Sequence, residues 1–75
     1  MQKLEFHVTG EFIALNDLLK ATGVVPSGGA GKAMVASRTV RVDGLVELRK
    51  TCKIRSGQVV RAGAIEITVR RAEPA

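Results

Sequence analysis

The residues best equipped for chemistry are four cations in one short run, Arg49, Lys50, Lys53 and Arg55. Ammonium and guanidinium groups gathered on a surface bind phosphate oxygens, Arg as a planar fork and Lys as a point charge. The run lies within TVRVDGLVELRKTCKIRSGQVV, residues 39–60, where Val40 and Val42 flank Arg41 and Asp43-Gly44 suits a tight turn. Cations held by strand and turn present a folded surface to an anionic partner. Arg41 projects from the adjoining strand, and Lys32 and Lys20 can join the same face if the upstream elements fold back onto it. The competing reading is a charged loop that is merely solvated.

A second candidate is SGGAGKA, residues 27–33. A nucleotide phosphate loop requires Gly five residues before the Gly-Lys pair and Ser or Thr after the Lys. Pro26 and Ala33 occupy those positions, so an ATP site is not expected. The backbone supports a weaker claim. The N–H groups of Ser27, Gly28 and Gly29 at a helix start can take an anion, with Lys32 one turn further on. Close packing of a glycine-rich helix start is the alternative. Cys52 and His7 are the conceivable nucleophile and base, and nothing in the sequence orients them together. One Cys and one His also lack any metal-ligand spacing, so no enzyme, metal or cofactor is expected.

The elements that must position these residues follow from periodicity. Leu4, Phe6 and Val8 alternate with Glu5 and His7 as in a half-buried strand. Phe12-Ile13 is a short apolar step that either extends this strand or packs beneath the first helix. From Leu15 the spacing becomes helical through Leu18, Leu19 and Thr22, with Asn16 and Asp17 in the first turn and Gly23 placed to end the helix. Pro26 keeps the residue before it extended. Ser27 is a suitable N-cap for a second helix over residues 28–37, whose expected inner face is Ala30, Ala33 and Met34. A two-residue turn at Asp43-Gly44 pairs Arg41 with Val46 and Val40 with Glu47, apolar against polar, so the second arm is expected to be irregular and the basic run an ordered loop. Strands follow at residues 59–62 and from Ile65, with Ile67 and Val69 inward and Glu66, Thr68 and Arg70 outward. Residues 72–75 are expected to fray.

Twelve Lys and Arg against seven acids leave a net charge of +5 on 75 residues, which favours an anionic partner. The length sets an expectation of one small domain with a modest core and no deep catalytic cavity. The lone Cys52 excludes an intrachain disulfide. MQKLEFHVTG lacks the apolar run of a signal peptide, and no segment approaches the roughly 20 apolar residues of a membrane span, so a cytoplasmic location is expected. With two Phe and no Trp or Tyr, base stacking of the kind used by sheet platforms and OB-folds is not expected, and recognition should rest on phosphates, ribose hydroxyls and RNA shape.

The ordered set of helical hairpin, SGG before the second helix, Gly-Lys within it, V-x-V-D-G, then R-K-x-C-K-I-x-x-G-Q resembles the RNA-binding domain named after small-subunit ribosomal protein S-four. The likeness extends from about Phe12 to Val69 and is greatest to stand-alone bacterial members. It implies an alpha-L motif, a helical hairpin with β-turns, that binds RNA through the second helix and the loop after the V-x-V-D-G turn. By position, Ser27, Gly28, Gly29 and Lys32 match the family's second-helix start. Arg41, Arg49, Lys50 and Lys53 match its basic turn segment, and Lys20 matches a Lys of its first helix.

The reading is therefore an α+β fold, a short helical hairpin packed on a small, mainly antiparallel sheet. It is expected to act as a non-enzymatic monomer whose partner is structured RNA, ribosomal or other, with no membrane and no small-molecule substrate. The rival is a protein-interaction module that docks on an acidic partner.

Overall fold

Alternation over Leu4 to Val8 and over Ile65 to Val69 produces the two longest strands, which pair with each other along their whole length. The computed structural model describes residues 1–72. In chain order the elements are β1 (Gln2–Val8), β2 (Ile13–Ala14), α1 (Leu15–Ala21), α2 (Gly28–Ala36), β3 (Val40–Val42), β4 (Leu45–Val46), β5 (Lys53–Ile54), β6 (Val59–Ala62) and β7 (Ile65–Arg71). Five strands form one sheet in the order β1-β7-β6-β3-β4, with β1 and β7 parallel and the other neighbours antiparallel. Strands β2 and β5 form a separate antiparallel pair. The fold is α+β, two helices on a mainly antiparallel mixed sheet, as expected.

One face of the sheet supplies Val40, Val42, Val60, Ala62, Ile67 and Val69 to the core. The helical hairpin covers it with Leu15, Leu18, Leu19, Val25 and Val35, and β5 adds Ile54. Complete burial of a Leu or Ile side chain stabilises the fold by about 1.5–3 kcal/mol, so this apolar layer fixes where the helices sit. The first helix ends as the sequence implies: the Thr22 hydroxyl donates to the Leu18 carbonyl at 2.8 Å, and Gly23 follows at φ 77°. Ser27 caps α2, its Oγ accepting from the Ala30 N–H at 3.1 Å.

Four details depart from the sequence reading. The inner face of α2 is Gly31 and Val35, flanked by half-buried Ala30 and Met34, while Ala33 is exposed. Gly31 governs this phase because a Cβ there would stand 2.8 Å from the Asn16 carbonyl oxygen; a helix start without that side chain can press onto α1. The arm after Asp43-Gly44 begins as the strand β4 in the mismatched register, Arg41 opposite Val46 and Val42 opposite Leu45. The mismatch is tolerated because β4 is the sheet edge and its side chains stay in solvent. Ile13 neither prolongs β1 nor lies beneath α1 alone; it pairs with Ile54, so Lys53 belongs to a strand and not to the loop. Finally, the Ala72 N–H donates to the Val8 carbonyl at 2.9 Å, which keeps Ala72 on the sheet. The rest of the expected frayed tail, residues 73–75, lies outside the described residues.

Candidate nucleic-acid interface

Helix α1 starts at Ala14 without a side-chain cap. Its first N–H groups are satisfied instead by the basic loop: Leu15 donates to the Cys52 carbonyl at 2.9 Å and Asn16 to the Lys50 carbonyl at 3.1 Å. These orphan donors must find acceptors, so the loop is tied to the helix by the helix's own geometry. On its other side Asn16 receives Gly31 of α2. The start of α2 and the backbone of Lys50 therefore meet at one residue, Asn16, which is 6% exposed. Its Oδ1 is buried with no hydrogen-bond partner among the described residues.

The loop carries its own brace. The Arg49 guanidinium forks onto Glu47 at 2.9 and 3.0 Å, and the Arg49 N–H adds a third bond to the same carboxylate at 3.0 Å. These hydrogen bonds hold the Glu47 carboxyl at about 2, well below its ordinary 4.5. The pair pushes the Arg49 guanidinium correspondingly upward. Burial, reinforced by a hydrogen bond to Glu47, raises the Cys52 thiol, so this cysteine lacks the thiolate character of a nucleophile. His7 stands in β1, near Glu5, and is not brought to Cys52. No group of three metal-ligating side chains exists among the described residues.

Downstream of the loop, Lys53 and Arg55 flank Phe12. The Lys53 Nζ lies 5.0 Å from the ring centroid and the Arg55 Cζ 5.8 Å from it. Lys32, Lys50, Lys53 and Arg55 form no ion pair with an acid among the described residues. An open groove beside the loop is lined by Asp43, Val46, Glu47, Arg49, Thr51 and Lys53, so two acids stand among its cations.

The structure thus brings Gly28 and Gly31 of α2 and the Lys50 carbonyl to Asn16 in the first turn of α1, and sets Lys53 and Arg55 beside Phe12. Two of the expected residues stand apart. Arg41 alternates with the buried Val40 and Val42, so it leaves the sheet on the face opposite the helices. There its cross-strand neighbour is Arg61, and its guanidinium donates to the Gly44 carbonyl at 3.3 Å. Lys20 lies in the last turn of α1, at the other end from the loop contacts. Three participants escaped the sequence reading: Asn16, Glu47 and Phe12. The position of Asn16 beside Leu15 and one turn before Leu19 is a sequence signal for its burial.

A helical hairpin packed on a mainly antiparallel sheet is the fold of a known domain class. An S4 domain family model matches residues 6–70, and the chain belongs to that family. It is 50% identical over 48 residues to the Escherichia coli (strain K12) protein named "Putative RNA-binding protein YbcJ", the match covering 64% of this chain and 69% of that protein. The same figures hold for "Uncharacterized protein YbcJ" of Shigella flexneri. Among solved structures, the solution structure of YbcJ from E. coli superposes with a TM-score of 0.61 at 38% identity, covering 91% of this chain and 87% of that one. That structure is described as revealing an alfaL motif involved in RNA-binding.

Proposed function

We propose that this chain is a non-enzymatic RNA-binding module of one domain, acting as a monomer on structured RNA, ribosomal or other. The observation that carries the reading is the hydrogen bonding of the Leu15 and Asn16 N–H groups to the Cys52 and Lys50 carbonyls of the basic loop, at the turn of α1 against which Gly31 of α2 packs. Ser27, Gly28, Gly29, Lys32, Lys50, Lys53 and Arg55 then make a composite surface for phosphates, with Arg49 shaping the loop. The names of the E. coli relative and its structure support RNA as the ligand. No helix among the described residues is long and apolar enough to cross a membrane. Phosphate contacts position an RNA and its shape selects it, which suits a surface of separate cations around a helix start.

The test is a titration of a labelled RNA hairpin at several salt concentrations. Each lost phosphate contact flattens the log–log salt slope by about 0.7–0.9, so Lys50→Ala and Lys53→Ala should each weaken binding at low salt and flatten the slope by up to that amount. Arg61→Ala, on the outer face of the sheet, removes the same charge and should leave the slope unchanged. Equal losses in all three variants would reduce the binding to net charge. Displacement of the RNA by an acidic polypeptide, but not by unlabelled RNA, would favour the protein-interaction alternative.

A further inference from the structure

We propose that Phe12 is a nucleobase-stacking position of this surface, with Lys53 and Arg55 engaging the phosphates beside the stacked nucleotide. The inference rests on the RNA-binding reading and sharpens it, since a stacked base must come from an unpaired position in the RNA.

The chain has two phenylalanines, and they are used differently. Phe6 packs against the core, whereas Phe12 is 42% exposed. The short β2–β5 pair explains why. Ile13 opposite Ile54 turns both isoleucines toward the core, and Ile54 is fully buried. The chain neighbours of these two residues, Phe12 just before β2, Lys53 within β5 and Arg55 just after it, are exposed on the side away from the core. The two cations then sit against the ring at 5.0 and 5.8 Å, held there by its quadrupole. Part of the ring still faces solvent, at one end of the basic loop and three residues before the Leu15 N–H that holds Cys52.

A surface that reads phosphates alone has no use for an exposed aromatic ring flanked by free cations. A nucleotide satisfies both at once, because its base offers a π-face and its phosphates carry the charge. Base–aromatic stacking of this kind is tolerant of sequence and depends on the base being out of a helix. The scarcity of aromatic residues still argues against a platform for several bases. A single ring takes a single base.

Phe12→Leu keeps an apolar side chain and removes the π-face. Phe12→Trp keeps the π-face and introduces the only indole, since the chain has no Trp or Tyr. Both variants and wild type are titrated against a hairpin RNA with an unpaired loop and against a blunt duplex, at several salt concentrations. Phe12→Leu should bind the hairpin about tenfold more weakly, with duplex affinity and salt slope unchanged. Phe12→Trp should restore hairpin affinity, and the hairpin but not the duplex should quench its fluorescence. Wild-type hairpin affinity in Phe12→Leu overturns the proposal. So does an equal loss for both RNAs, which would make the ring a staple between β2 and β5. A wild-type chain that binds neither RNA overturns the RNA reading and this inference with it.

Discussion

The side of the molecule formed by the helical hairpin and loop and the outer face of the sheet both carry cations, but the acids that answer them are placed differently: across strands for Arg61 and Arg70 on the outer face, and at Arg49 in the loop. On the outer face, Arg61 donates to Glu66 at 3.2 Å and Arg70 to Glu5 at 3.0 Å, each acid supplied by the neighbouring strand. On the hairpin-and-loop side, Lys32, Lys50, Lys53 and Arg55 have no such acid among the described residues. Exposed ion pairs of the first kind contribute little to stability, about 0–1 kcal/mol, but they locally cancel the field a phosphate would meet. Net charge therefore describes the whole surface poorly. The difference lies in what the register places opposite each cation.

The largest expected effect bears on what assembles the hairpin-and-loop side. In Gly31→Ala the new methyl group meets the backbone of Asn16, 2.8 Å from its carbonyl oxygen, and that backbone is itself tied to Lys50. Overpacking of this kind costs about 1–3 kcal/mol, and each kcal/mol lowers the melting temperature of a domain this small by about 4–8 °C. RNA affinity should fall with it. Wild-type melting and affinity would break the claim that this contact positions the interface.

A smaller effect compares one cation from each side. Arg41→Ala removes a charge from the outer face, next to Arg61, while Lys53→Ala removes one beside Phe12. Only the second should flatten the salt slope appreciably, by up to about 0.7–0.9. An equal change for Arg41→Ala would extend the interface around the sheet edge, as the family resemblance implied.

The smallest effect concerns the brace within the loop. Glu47 is held at about 2 by Arg49, below its ordinary 4.5, so its contribution to stability is present above about pH 4.5 and is lost as the pH falls toward 2. Acid melting curves should therefore converge: Glu47→Gln is less stable than wild type at neutral pH, and the gap closes below about pH 4.5. A constant gap down to about pH 2 would show that the carboxylate does not brace the loop.

Much of this was legible in the residues because it depends on near neighbours. Ser27 capping α2, Gly23 ending α1 and the Asp43-Gly44 turn at φ 51° and 87° follow from side chains and backbone freedom within four residues. The alternation in β1 and β7 dictated which of their faces is buried, though not that the two strands would run parallel side by side. The position of the basic run was equally plain, and so was the start of α2 at Ser27.

The sequence by itself determined the α+β class, the caps and turns, and a surplus of cations concentrated around one loop, since propensity, period and charge are local properties. Only the tertiary structure decided where the cations stand relative to the helices and the sheet. A strand's alternation sent Arg41 to the far face, a missing Cβ at Gly31 set the phase of α2, and the uncapped N–H groups of α1 found their acceptors at Lys50 and Cys52, some 35 residues downstream. Each of these is a condition of geometry between distant segments: which face is buried, how closely two backbones can approach, and where an unsatisfied donor meets a carbonyl.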